Sequence, residues 1–266
     1  MSLDVVDLRA FYDSPLGVVA QRLVSRVLRG RWDSRFTGLS LMGVGYATPY
    51  LADFAKEAQR TLAFMPAEQG VVIWPGGGRC SAALVDAQML PLPDGSIDRL
   101  LLAHALEMSH DAAALLREVW RVLAAGGRLM AVVPNRRGLW ARMDTTPFGH
   151  GRPYSRSQIT ALLRETWFTP TAWGEALYVP PISRGWFLRS AIAWERTGST
   201  ISAPFAGVHI VEATKQVYRA IPARREKRQL VPALEPALAP SSSGAARSGA
   251  VDTALVLKMI DSDRSA

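Results

Sequence analysis

Apolar residues recur along the first half of the chain at two spacings. From Pro15 to Arg29 they fall at Leu16, Val19, Ala20, Leu23, Val24, Val27 and Leu28, with Arg22, Arg26 and Arg29 on the other side. That is the period of an amphipathic helix. The short apolar run Gly38–Met42 follows, closed by Gly43-Val44-Gly45, and Tyr50–Phe64 then predicts a second helix. Strand, glycine turn and helix in succession form the opening unit of a doubly wound α/β fold. Val71–Trp74 reads as a second buried strand, Ala82–Val85 as a short third and Arg99–Ala103 as a fourth. Asp111–Leu123 is an amphipathic helix ended by Ala125-Gly126-Gly127, and Arg128–Val133 follows as a fifth strand stopped by Pro134. Two glycines there turn the chain from helix into strand. Beyond them the pattern predicts a helix over Ser155–Thr166, a strand near Thr171–Tyr178, a helix over Arg184–Trp194 and a last strand over His209–Lys215.

Strands alternating with helices at this spacing imply a mostly parallel sheet covered on both faces. The expected fold is Rossmann-like and doubly wound, shortened between strands two and three. Only Pro75–Ser81 separates those two strands, and a parallel crossover takes about a dozen residues or more. Strand three is therefore expected to be antiparallel or a short extended stub. Residues 1–35 read as an N-terminal helical lid segment and 36–220 as the α/β domain. Residues 221–266 read as a basic tail rich in Pro, Ala and Ser, expected to be disordered, with Val251–Ile260 as a short docking segment.

Composition narrows the classes. A chain of 266 residues, 48% hydrophobic and 20% charged, can bury a core without cross-links. A single cysteine, Cys80, excludes an internal disulfide framework and a multi-cysteine zinc site. Four scattered histidines form no metal cluster. No apolar run approaches the ~20 residues of a membrane helix. The acidic start MSLDVVDLRA lacks a signal-peptide pattern, so a cytoplasmic protein without a membrane span is expected. The net charge of +8 lies in the second half: residues 1–133 carry 13 basic and 13 acidic side chains, residues 134–266 carry 18 and 10. A basic half can attract nucleic acid, lipid surfaces or anionic substrates, yet much of this excess is spread through the tail.

Three consecutive blocks carry a family resemblance. Asp86-Ala87-Gln88-Met89-Leu90-Pro91-Leu92-Pro93-Asp94-Gly95-Ser96-Ile97-Asp98 resembles the segment after strand three of class I S-adenosylmethionine (SAM)-dependent methyltransferases, roughly D-A-x-x-L-P-F-x-D-x-S-F-D. His104-Ala105-Leu106-Glu107 is similar to that family's H-V-L-E/H after strand four. Leu115 to Leu129 is similar to its L-x-E-x-x-R-V-L-x-P-G-G-x-L. The resemblance runs over residues 36–175 and implies SAM as cofactor. It places Gly43 and Gly45 where backbone must approach the methionine moiety. Asp86 would accept from the adenine amino group, with the Ala87 backbone donating. The family also has an acidic residue two places before the first glycine, where Leu41 stands here, and a ribose-binding Asp or Glu ending strand two. The predicted strand two ends Ile73-Trp74-Pro75 with no carboxylate nearby. A rebuilt adenosine pocket is therefore expected, with Trp74 packing on adenine or ribose. Gly76–Gly78 would lend main-chain amides there, beside Arg79.

Methyl transfer asks mainly for alignment, since the sulfonium is already a good electrophile. A base matters when the acceptor must lose a proton. His104, just past strand four and facing the cofactor methyl, is one candidate; Tyr12, on a segment that folds over the pocket in related enzymes, is the other, with Phe11 beside it as a lid residue. The loop Asp144–Tyr154, with His150 and Arg152, is expected to overhang the acceptor site. The resemblance thus implies methyl transfer to a small-molecule acceptor. An alternative is a methyltransferase-fold scaffold that binds or regulates a protein partner, suggested by the missing ribose carboxylate and the missing crossover helix. RNA methylation is suggested only by the basic second half. No Asn/Asp-Pro-Pro-Tyr motif or cysteine pair supports it, so nucleic acid is not an expected partner.

Overall fold

The computed structural model describes residues 3–32, 37–182 and 206–217. The helix predicted over Arg184–Trp194 and the tail 221–266 lie outside the described residues. Seven strands form one sheet: β1 (Ser40–Gly45), β2 (Arg60–Pro66), β3 (Ala82–Val85), β4 (Ile97–Ala103), β5 (Leu123–Pro134), β6 (Phe168–Ala176) and β7 (Val208–Lys215). Their order is β3-β2-β1-β4-β5-β7-β6. The first five are parallel, and β7 runs antiparallel to both β5 and β6.

Helices cover both faces, as parallel strands require. α1 (Val5–Asp13) and α2 (Pro15–Arg31) pack on Leu41, Leu101, Ala103, Met130 and Val132. α4 (Ala112–Val122) and α5 (Arg156–Glu165) pack on Met42, Val44, Leu100, Leu102 and Ala131. Local chemistry sets the helix ends. Ser14 closes α1 and opens α2: its hydroxyl donates to the Phe11 carbonyl (2.6 Å) and accepts from the Gly17 amide (3.1 Å), with Pro15 leading the new helix. Asp111 caps α4 through the Ala114 amide, and Ser155 with Gln158 forms a capping box on α5. Arg121 of α4 ties down the β3–β4 loop, reaching the carbonyls of Leu90 and Leu92 and the carboxylates of Asp94 and Glu118.

Several predicted elements shift. The second helix shrinks to α3 (Thr48–Leu51), and turns lead from it into β2. A central strand buried on both faces is a continuous apolar run, which periodicity cannot separate from a helix. Val71–Trp74 lies outside the sheet: Val72 and Trp74 pack on the α1–α2 side of the core, while Val71 and Ile73 are exposed. Strand two is therefore β2, and the connection to β3 spans 67–81 without a helix. That length suffices for a parallel crossover, and β3 does pair parallel, from Ala63↔Ala82 to Pro66↔Val85, so the antiparallel alternative falls. β5 begins at Leu123, which places Gly126 and Gly127 inside the strand at a register irregularity against β4. Among the described residues no helix is long and apolar enough to cross a membrane.

Leu116 of α4 is fully buried while its neighbour Arg117 is exposed. Leu116→Ala is expected to lower unfolding free energy by about 2–5 kcal/mol in urea titration, and Arg117→Ala by about 0.5 kcal/mol or less.

Candidate functional site

The chain goes outward from β1 to β2 and β3, then returns past β1 to form β4 and β5. Such a reversal leaves a crevice at the carboxyl ends of the strands. A cleft of about 380 Å³ opens there, within the size range of ligand sites. Its walls include Glu68 and Gln69 after β2, Asp86 and Ala87 after β3, and His104 and Ala105 after β4.

Glu68 is exposed at the mouth, its Oε2 3.3 Å from His110 Nε2. Asp86 uses Oδ1 to accept from the Gln88 amide (2.8 Å). Gln69 is buried: its Nε2 donates to the His104 carbonyl (2.9 Å), spanning the end of β1, and its Oε1 has no hydrogen-bond partner. The Gln69 carbonyl accepts from the Val5 amide (2.6 Å), which ties the start of α1 to the same loop.

His104 ends β4 in a left-handed conformation (φ 51°), 2% exposed. Strained backbone of this kind gathers at functional sites. Its Nε2 lies 2.8 Å from the Tyr12 hydroxyl, which lies 2.7 Å from the Tyr50 hydroxyl. Its Nδ1 lies 3.3 Å from Glu107 Oε1. Tyr12 stacks on Tyr46 (ring centres 5.6 Å apart), and Phe148 sits 5.0 Å from the His104 ring. Burial, seconded by Tyr50, pushes the Tyr12 hydroxyl well above the ordinary phenol range; burial likewise raises Tyr50.

Of the predicted site residues, Asp86, Ala87 and His104 line one cleft, and Tyr12 meets His104 from α1. Gly43 and Gly45 end β1 but do not line the cleft. A Cβ on Gly43 would press on Ala47 and Leu51; one on Gly45 (φ +83°) would meet the Ala103 carbonyl. Both glycines thus permit close packing of β1 against its neighbours. Trp74 packs on the α1–α2 side of the core and does not line the cleft, and Gly76–Gly78 and Arg79 lie exposed away from it. The strand-two carboxylate expected to be absent has a counterpart in Glu68, two places past the end of β2. Placing β2 correctly would have exposed it. The loop after β5 brings Phe148 over His104, and the Arg152 amide donates to the Glu107 carbonyl (2.8 Å). His150 instead donates to the Asp144 carbonyl (2.8 Å).

The nucleoside half of the implied cofactor offers donors, its ribose hydroxyls and exocyclic amine. The cleft answers with the acceptors Glu68 and Asp86, beside apolar Val85 and Leu115. The residues fit such a group.

Residues 40–131 match the profile of the family described as Methyltransferase domain. Among solved structures the chain is similar to the [4+2]-cyclase SpnF, at 19% identity over 74% of this chain and 82% of that one, TM-score 0.50. It is similar to a chain in the complex of the Haloferax volcanii Trm112 methyltransferase activator with a protein assigned as a methyltransferase (14%, 81% and 100%, 0.58). It is also similar to a SAM-dependent methyltransferase from Aquifex aeolicus (14%, 80% and 98%, 0.53). No curated protein matches the chain. Identities this low establish the fold.

The raised Tyr12 and Tyr50 hydroxyls stabilise the fold in neutral form. That contribution is whole below the unfolded phenol value of 10.0 and is lost as pH rises through the higher folded values. Stability measured by denaturant titration is expected to fall above about pH 10, and less steeply in Tyr12→Phe.

Proposed function

We propose that the chain, whose residues 40–131 match the Methyltransferase domain profile, is an enzyme transferring the methyl group of SAM to a small-molecule acceptor beside His104. The observation that carries this is one cleft at the carboxyl ends of the strands lined by the carboxylates Glu68 and Asp86, with His104 in its wall. SAM, when bound, supplies an electrophilic methyl group. This chain's residues do the rest. Glu68 would accept from the ribose hydroxyls, and Asp86 and Ala87 would hold the adenine edge. His104 and Tyr12 serve the acceptor side, where the apolar rings of Phe11, Tyr46 and Phe148 exclude water. The scaffold reading drew its support from a missing ribose carboxylate and a missing crossover helix; the connection 67–81 has no helix, and Glu68 offers a carboxylate after β2 that favours the enzyme reading. The cyclase among the similar structures is a reminder that a fold does not dictate a reaction, so cofactor binding is the property to measure.

Calorimetric titration with SAM and S-adenosylhomocysteine is expected to give micromolar affinity, about −8 kcal/mol. Glu68→Ala and Asp86→Ala are each expected to lose about 1.5–3 kcal/mol of it, since each removes a charged hydrogen-bond acceptor. A folded wild type that ignores both ligands at millimolar concentration would sink the proposal.

A further inference from the structure

Glu107 is a carboxylate 2% exposed, and neither of its oxygens has an aligned hydrogen-bond partner. Ionised, it can only accept, and a buried acceptor without a donor is costly. The donor within reach is His104 Nδ1, at 3.3 Å, itself buried and otherwise unpartnered. On the other side of the ring Nε2 faces the Tyr12 hydroxyl. One arrangement of protons suits the row: Tyr50 donates to Tyr12, Tyr12 donates to Nε2, and the ring proton sits on Nδ1, 3.3 Å from Glu107 Oε1.

We propose that Glu107 is a positioning residue that holds His104 in the Nδ1–H tautomer and so leaves Nε2 as a proton acceptor. The proposal rests on the methyltransferase reading for its meaning and names the acceptor class: a molecule whose attacking atom carries a removable proton, such as a hydroxyl oxygen. In the step, the acceptor's O–H bond breaks and its electron pair stays on oxygen, which becomes the nucleophile. The proton reaches Nε2 through Tyr12, whose hydroxyl gives its own proton to Nε2 and takes the acceptor's. His104 becomes an imidazolium facing the Glu107 carboxylate, as an oriented histidine base does when a carboxylate backs it. A thioether or tertiary amine acceptor would have no use for this row of groups.

The test is nitrogen NMR of the histidine side chains in the full-length protein, with His104 assigned by its loss in His104→Asn. In the wild type Nδ1 is expected to carry the protonated-type signal and Nε2 the unprotonated type. Glu107→Gln keeps a carbonyl oxygen that can accept from Nδ1–H and is expected to keep that pattern. Glu107→Leu, checked for folding by circular dichroism, is expected to move the proton to Nε2 or to mix the two tautomers. A wild-type proton on Nε2 overturns the assignment without any variant, and so does an Nδ1–H that survives Glu107→Leu unchanged. Failure of the wild type to bind SAM in calorimetry would end the methyltransferase reading while leaving the tautomer result standing.

Discussion

A parallel strand cannot hand its chain to a neighbour through a tight turn; the chain must cross a face of the sheet and come back. Everything in this molecule depends on how those crossings are distributed. From β1 they run toward β3, and from β4 they run the other way. The reversal leaves the ends of β1 and β4 side by side, with no crossing passing over them. Into that gap the chain puts Gln69, which spans from the β2 loop to the His104 carbonyl, and α1, whose first amide is tied to the same glutamine. The cleft and the histidine face one another because the topology leaves them nowhere else to go.

The second constraint is electrostatic. Beneath α1, four polar groups sit among Phe11, Tyr46, Phe148 and Trp140. Leaving one buried polar group without its hydrogen-bond partner costs about 1–3 kcal/mol. A constellation of that kind is kept by its own members: Tyr12 needs His104 as much as His104 needs Glu107. The left-handed backbone at His104 adds to what the surrounding packing must hold. Arg121 contributes from α4, since its bonds to Leu90, Leu92 and Asp94 hold the loop after β3 in place.

How much of this could be read from the residues in order differs from place to place. α2, α4 and α5 each have one wet face and one dry face, so their periodicity announces them. β2 has no wet face over Ala63–Met65, and its apolar run merges with Leu51 and Phe54 into a false helix. That single misplacement propagates. It turns Val71–Trp74 into a strand, shortens the crossover, and hides Glu68 in what looks like a helix-to-strand connection. Asp86, Ala87 and His104 were legible because the motif fixes their distance from strand ends that were themselves legible. Gln69 and Tyr50 gave no local signal, because a buried amide or phenol matters only through partners 35 and 38 residues away. Glu107 lay inside a quoted motif, yet its spacing from His104 says nothing of the burial that makes it consequential.

Tyr12 and His104 are 92 residues apart in the chain and 2.8 Å apart in the fold. On a ribosome adding about 5–20 residues per second, α1 is made some 5–20 s before the histidine it will serve. During that interval Tyr12 has only Tyr46 and Tyr50 for company, and the loop to be closed is long, which makes its closure slow as well as late. The sheet must assemble as far as β4 before the helix has anything to sit on. The interior of the site is therefore a place where synthesis order and spatial order disagree, and a chain stalled before residue 104 holds a helix whose polar edge has no destination.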